Sequence, residues 1–164
     1  MKIPIFPLNG AILFPKTNLP LNIFEERYIE MVNYSLANNR VIGMVQQKEN
    51  KGLYNIGCYG KITVFNETPD KRYLINLEGI SCFNIVKEID TGCKFRICEI
   101  EIFDNFNGPN LQDGLKSTIL DSFKKYKKVK NINVNLDDIS QLNVVDLLKL
   151  IIMVSPFDVS VKQM

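Results

Sequence analysis

The sequence predicts an α+β protein, in which a β-barrel-like lobe with one helix over residues 1–106 is followed by a small helical lobe over residues 107–164. In the first lobe, short apolar segments alternate with polar residues at a period of two and are separated by proline and glycine. After residue 114 the apolar residues recur every three or four positions, which is typical of helices. Residues 105–110 contain Gly-Pro and three asparagines, so we place the junction of the lobes there.

The composition is that of a globular protein without a strong charge bias. The chain has 164 residues, of which 46% are hydrophobic, and this length suffices for one domain or two closely packed lobes. A net charge of +2, from 20 basic and 18 acidic residues, is too balanced to indicate a polyanionic partner for the chain as a whole. We expect a cytoplasmic protein, because Pro4 and Pro7 interrupt any signal-peptide core and the apolar run at residues 147–154 is shorter than a membrane span.

The first 40 residues predict a strand, two turns and a helix. Residues 3–8 form a short apolar run, and Pro15 and Pro20 mark the turns. An amphipathic helix over residues 23–38 is indicated by apolar residues spaced four apart: Phe24, Tyr28, Val32 and Leu36. We expect Asn22 to cap the start of this helix and Asn38 to end it.

Further strands are predicted at residues 41–47, 58–65, 73–85 and 95–102. The third of these alternates most clearly, and Gly79 interrupts it at a point where a long strand can turn a corner of a barrel. The turn chemistry of residues 68–71 predicts a hairpin before that strand. In the last strand the apolar parity changes between Ile97 and Cys98, which predicts a β-bulge there.

The second lobe is expected to be helical. One helix is indicated by an apolar stripe at Leu115, Ile119, Phe123 and Tyr126, and a second by the apolar segment 144–154. Ser155 and Pro156 resemble the cap and first residue of a further helix. Because that helix would have only two or three turns before Met164, we expect the helical lobe to be truncated at its C-terminal end.

The sequence offers no catalytic, cofactor-binding or metal-binding residues, so we do not expect an enzyme. Without histidine there is no Ser-His-Asp or Cys-His arrangement, and no phosphate-binding loop occurs. Ser160 and Lys162 would face different sides of a helix and cannot form a Ser-Lys pair. The four cysteines lack the spacing of a zinc site, and those on predicted strands are interpreted as apolar core residues: Cys58, Cys82 and Cys98.

One basic cluster interrupts the otherwise balanced charge, and it consists of Lys124, Lys125, Lys127, Lys128 and Lys130. Such a cluster can bind nucleic acid, but lysines at the end of a helix also complement the helix dipole and remain hydrated. Since arginine is absent from the cluster and Tyr126 is its one aromatic residue, we favour the solvated helix.

Two segments, residues 3–28 and residues 67–80, resemble the amino-terminal domain of Lon-type proteases in residue type, order and spacing. This resemblance implies a six-stranded, PUA-like barrel followed by a helical bundle, and a role in recognising unfolded or tagged protein segments. The ATPase and Ser-Lys peptidase domains of that family would need many more residues than this chain has. The resemblance therefore implies a non-catalytic recognition or adaptor module that could act with a separate ATP-dependent protease.

Residues 9–20 are more apolar than an ordinary surface loop, and we predict that Phe14 and Leu19 contact an extended protein segment. In the alternative, both side chains plug the end of the barrel or pack against the helical lobe. A further alternative is an RNA-binding module that uses the PUA-like barrel and the Lys124–Lys130 cluster.

Overall fold

A computed structural model describes residues 1–103 and 113–162, and it confirms the α+β class. The strands are β1 (Lys2–Pro7), β2 (Asn18–Ile23), β3 (Val41–Gln47), β4 (Leu53–Glu67), β5 (Tyr73–Ile89) and β6 (Arg96–Phe103). The helices are α1 (Glu26–Ala37), α2 (Asp113–Lys130), α3 (Leu136–Ser140), α4 (Val144–Val154) and α5 (Val159–Lys162). We refer to residues 1–103 as the β region and to residues 113–162 as the helical region. The predicted boundary between residues 106 and 107 lies outside the described residues.

Five of the six strands form a closed ring. The sheet has the order β2-β5-β4-β3-β1-β6, and β6 also pairs with β5. β1 and β3 run parallel to each other, whereas the other paired strands are antiparallel. Among the residues that the structure describes, β2 pairs only with β5, and it is therefore an edge strand added to the ring.

β5 closes the ring by exchanging partners near Gly79, where the sequence predicts a corner. Before this residue β5 pairs with β2, and beyond it with β6. Ile80 is the extra residue of a bulge opposite β4. Gly79 is required here because a Cβ atom would lie 2.0 Å from the carbonyl oxygen of Phe14.

The β region has two hydrophobic clusters. The first contains Met31 and Val32 of α1 together with Met44 of β3, and the second surrounds the fully buried ring of Phe83. Even-numbered residues of β3 belong to the first cluster and odd-numbered ones to the second, so both faces of this strand are buried. Gly43 leaves room for the Phe83 ring, since a Cβ atom at that position would lie 3.0 Å from it.

The predicted bulge between Ile97 and Cys98 is wrong. β6 pairs with β1 without interruption through both residues, and the irregularity lies in β5, between Ile85 and Lys87. Ile97 and Cys98 are both buried because each belongs to a different cluster, one on each face of β6. The change from odd-numbered to even-numbered apolar residues in this segment therefore reflects a strand that is buried on both faces.

The predicted start of α1 is also wrong, although its end at Asn38 is confirmed. Asn22 lies in β2, the N-cap position is Glu25, and Phe24 lies outside the helix with 65% of its surface exposed. Residues 18–23 pair with β5, and their odd-numbered side chains pack against the first cluster. Pairing with β5 therefore makes this segment a strand, whereas the spacing of its apolar residues predicted a turn and the start of a helix.

The helical region has a third, smaller cluster, formed by Phe123, Ile139, Leu147 and Ile151. The predicted helix over residues 144–154 is confirmed as α4. Ser155 does not begin a helix but ends α4, because its N–H donates to the carbonyl of Ile151 and Pro156 favours an extended residue before it. α5 begins later, at Val159, and has four residues. Among the described residues, no helix is long and apolar enough to cross a membrane.

Candidate functional site

A mostly apolar cavity of about 260 Å³ lies where the β region meets α5. Its floor is formed by the sheet, its wall by residues 11–14, and Lys162 lies at its edge. Concave apolar sites with a few polar groups are where proteins most often bind ligands. We therefore take this cavity as the candidate site.

The floor of the cavity is a row of neighbouring side chains across four strands. Met44 is paired with Cys58, Cys58 with Cys82, and Cys82 with Phe103. Directly paired residues project from the same face of a sheet, so one sulfur-rich and aromatic row faces the cavity. These four residues are distant in sequence, and sequence analysis did not assign any of them to a site.

The wall of the cavity belongs to the loop of residues 9–17, which the β region holds at two points. The buried side chain of Gln46 accepts a hydrogen bond from the N–H of Gly10 at 3.0 Å and donates one to the carbonyl of Ala11. At the other end, Gly79 donates to the carbonyl of Thr17 and accepts from the N–H of Lys16, each at 2.8 Å. The loop is thus fixed before any ligand arrives.

Two lysines of the helical region also hold this loop. Lys149, with 7% of its surface exposed, donates to the carbonyl of Pro15 at 3.1 Å and to Asp146 at 3.3 Å. Lys162 donates to the carbonyl of Gly10, and burial lowers its pKa below the ordinary value. In the sequence, Lys149 is a single charged residue within an apolar helix. This pattern does not predict its contact with Pro15, which is 134 residues away.

Three of the four cysteines are buried, where thiols react slowly. A hydrogen bond with Cys82 and burial both raise the pKa of Cys58 far above its ordinary range, and burial raises the pKa of Cys98 to about 11. These three are buried on strands as predicted, whereas Cys93 is exposed. No group of three or more cysteine or carboxylate side chains in the described parts of the chain could hold a metal ion.

The two residues predicted to contact a protein segment have different surroundings. Phe14 is half-buried and lines the cavity. Leu19 is half-buried as well, but it lies on β2 and packs against the first hydrophobic cluster. The structure therefore connects Phe14, and not Leu19, with the cavity.

The lysine cluster lies on the last two turns of α2. Consecutive helical residues are rotated by about 100°, so lysines at these five positions surround much of the helix and do not form one surface. Lys124 forms an ion pair with Asp121 at 3.1 Å. The use of this cluster in binding stays a prediction.

Comparison with known proteins gives the family. The model of the ATP-dependent protease La (LON) substrate-binding domain matches residues 2–164. The chain belongs to this family. The resemblance seen in the sequence is thereby confirmed.

Curated relatives of this Lon substrate-binding domain are much longer proteins. It is 27% identical over 149 residues to the Lon protease of Buchnera aphidicola, covering 86% of this chain and 19% of that protein. It is 24% identical over 135 residues to the Lon protease of Heliobacterium modesticaldum, covering 78% of this chain and 17% of that protein. The chain thus spans less than a fifth of the length of these relatives.

Solved structures share the fold. The N-terminal domain of the Mycobacterium avium complex Lon protease matches with a TM-score of 0.72 and 12% identity, over 99% of this chain and 88% of that one. The Lon N-terminal domain protein from Xanthomonas campestris matches with a TM-score of 0.62 and 17% identity, over 92% and 96%. At these identities the comparison concerns the fold alone.

Proposed function

We propose that this chain is a non-catalytic module that recognises unfolded or extended protein segments and holds their apolar side chains in the cavity beside Phe14. The observation that carries this proposal is the cavity itself, an apolar site with a fixed wall in a member of a substrate-binding family. Unfolded proteins differ from folded ones in exposing apolar side chains. A cavity that removes such a side chain from water distinguishes the two states.

The size of the cavity supports side-chain capture. Its volume of about 260 Å³ is below the roughly 300–1,000 Å³ typical of pockets for drug-sized ligands. One or two apolar side chains fit such a space. Phe14 contributes an aromatic ring, which is the kind of residue that dominates recognition energetics.

Capture of side chains is favoured over the addition of a strand at the free edge of β2. Because Gly79 donates to Thr17, the odd-numbered residues of β2 direct their backbone groups toward β5 and the even-numbered ones outward. Pro20 is the middle of the three outward positions and has no N–H to donate. An extended peptide would therefore find this edge interrupted. Leu19 enters the proposal as the residue that anchors β2 beside the cavity loop, rather than as a direct contact.

We further propose that ATP hydrolysis and peptide-bond cleavage belong to residues outside these 164, including those of a separate ATP-dependent protease. Protonated, buried thiols and the absence of histidine from the sequence support this part of the proposal. Purified chain is expected to hydrolyse neither ATP nor an unfolded protein such as casein. Turnover of either by the pure chain would contradict it.

Binding is tested by fluorescence anisotropy with labelled, unstructured peptides. One peptide carries phenylalanine and leucine at regular intervals, and its matched control carries serine at those positions. We expect weak, saturable binding of the apolar peptide and none of the serine peptide. Phe14→Ala should weaken binding several-fold, while Phe24→Ala, which removes an exposed phenylalanine away from the cavity, should not. Absence of saturable binding across a broad set of apolar peptides, or equal losses in both variants, would contradict the proposal.

A further inference from the structure

Two cysteines that are 24 residues apart in sequence are direct neighbours in the sheet. Cys58 of β4 is paired with Cys82 of β5, and the Cys82 side chain is the main cause of the raised pKa of Cys58. Both line the floor of the cavity. A small molecule that enters the cavity therefore lies beside both residues.

The hydrogen-bond pattern decides how closely the two cysteines approach. The N–H of Ile62 donates to the carbonyl of Arg40, so even-numbered residues of β4, including Cys58, direct their backbone groups toward β3. Cys58 and Cys82 are consequently a non-hydrogen-bonded pair of β4 and β5. In such pairs the Cα atoms are about 4.5 Å apart and the side chains are at their closest. Disulfides span Cα separations of about 4.4–6.8 Å.

We propose that Cys58 and Cys82 form a dithiol site that hydrogen peroxide oxidises to a disulfide between β4 and β5. One sulfur, after losing its proton, attacks a peroxide oxygen, which forms a sulfenic acid and releases the first water. The second thiol then displaces the sulfenic oxygen, which leaves with a proton as the second water. In total, two thiols and one peroxide give one disulfide and two waters, and the sulfur atoms supply the two electrons.

The other two cysteines provide internal controls. Cys93 is exposed, and Cys98 is buried in the second cluster away from the cavity. Since Cys58 and Cys82 are buried thiols, we expect Cys93 to react first and the disulfide to form more slowly. The proposal concerns the sheet and is independent of the proposed function.

The test is mass spectrometry of the full chain after exposure to hydrogen peroxide, blocking of free thiols under denaturing conditions, and digestion without reductant. We expect one linked pair of peptides that contain Cys58 and Cys82, lighter by two hydrogens than the separate peptides. The linkage should persist in Cys93→Ser and disappear in Cys58→Ser and Cys58→Ala. Oxidation should raise the Tm by about 5–10 °C, because the disulfide closes a loop of about 25 residues. Blocked, unlinked Cys58 and Cys82 after complete oxidation of Cys93, or a linkage that involves Cys93 instead, would overturn the proposal.

Discussion

The β region and the helical region differ in how much of their structure they can maintain alone. In the β region, five strands close a ring and two hydrophobic clusters fill its faces. The helical region has one small cluster, a buried lysine, and a buried hydroxyl at Ser155 that has no hydrogen-bond partner in the described part of the chain. The comparison indicates that the helical region depends on the β region for support, and the loop of residues 9–17 supplies it through Lys149 and Lys162.

This difference also explains where the cavity lies. Its floor belongs to the closed sheet, its wall is fixed by both regions, and Lys162 of the helical region lies at its edge. A site with a stable floor and a less stable edge can admit side chains of varied shape. We expect changes in the sheet to affect the whole protein, and changes in the helices to affect mainly the edge of the cavity.

The largest expected effect is that of Phe83→Ala, compared with Leu147→Ala. Both side chains are fully buried, and we expect losses in free energy of unfolding of about 3–5 and 2–5 kcal/mol, measured by urea denaturation. Hydrogen exchange separates the two variants. Phe83→Ala should lower protection throughout the chain, whereas Leu147→Ala should lower it mainly in α2–α4. Equal loss of protection in the strands of both variants would show one cooperative unit and contradict the comparison.

Gly79→Ala should be the next most damaging change. The new Cβ would lie 2.0 Å from the carbonyl oxygen of Phe14, so the loop of residues 9–17 must move. We expect overpacking to cost about 1–3 kcal/mol, with a further loss from the two hydrogen bonds between this glycine and the loop. Gly92→Ala is the matched control, since nothing lies within 4 Å of its added Cβ although its φ of +69° adds strain. Thermal unfolding that ranks Gly92→Ala as the more damaging would be inconsistent with a fixed loop.

Lys149→Met tests the link between the two regions. The variant keeps most of the side-chain volume but leaves the carbonyl of Pro15 without this donor, which should cost about 1–3 kcal/mol. Hydrogen exchange should increase in α4 and in the loop of residues 9–17, while the strands stay protected. Lys125→Met, an exposed lysine of α2, is expected to leave both stability and exchange unchanged. The link would be refuted by a Lys149→Met protein that behaves like the control.

The smallest effect concerns pH and the exposed ion pairs of Lys94. Hydrogen bonds with the carboxylates of Glu30 and Glu26 raise the pKa of Lys94 above its ordinary value. These ion pairs therefore make their full contribution to the free energy of unfolding below the ordinary lysine pKa, and the contribution is lost as pH rises through the raised pKa of Lys94. Lys94→Met should be slightly less stable than the parent at pH 7, and the difference should vanish at strongly alkaline pH. A difference that grows with pH would contradict this assignment.

The sequence predicts strands well where one face alternates clearly, and less well where pairing decides. β5 and its corner at Gly79 follow from a long alternation of apolar and polar residues. At Ile97 and Cys98, two adjacent apolar residues predict a bulge, but both are buried because β6 packs against a cluster on each face. β2 was missed because Pro20 in a six-residue segment resembles a turn, although proline is compatible with the outward position of an edge strand.

Of the residues that line the cavity, the sequence indicates Phe14 as a contact residue, because an apolar residue among turn residues suggests a contact. Its contact with a protein segment stays a prediction. The floor could not be identified, since Met44, Cys58, Cys82 and Phe103 become neighbours only through strand register. The local spacing of residues does not determine that register. It does not indicate the contact of Lys149 with the loop either, because that contact joins residues far apart in sequence.

The most direct test of the central claim is nuclear magnetic resonance of protein labelled with ¹³C at the methionine methyl groups, titrated with the apolar peptide. Met44 lies on the floor of the cavity, whereas Met31 is a fully buried residue of α1 that does not line the cavity and serves as an internal reference. We predict that the Met44 methyl signal shifts progressively and saturates with the peptide, and that the Met31 signal stays in place. Saturable peptide binding that leaves Met44 unchanged would contradict the account, because the peptide would then bind elsewhere.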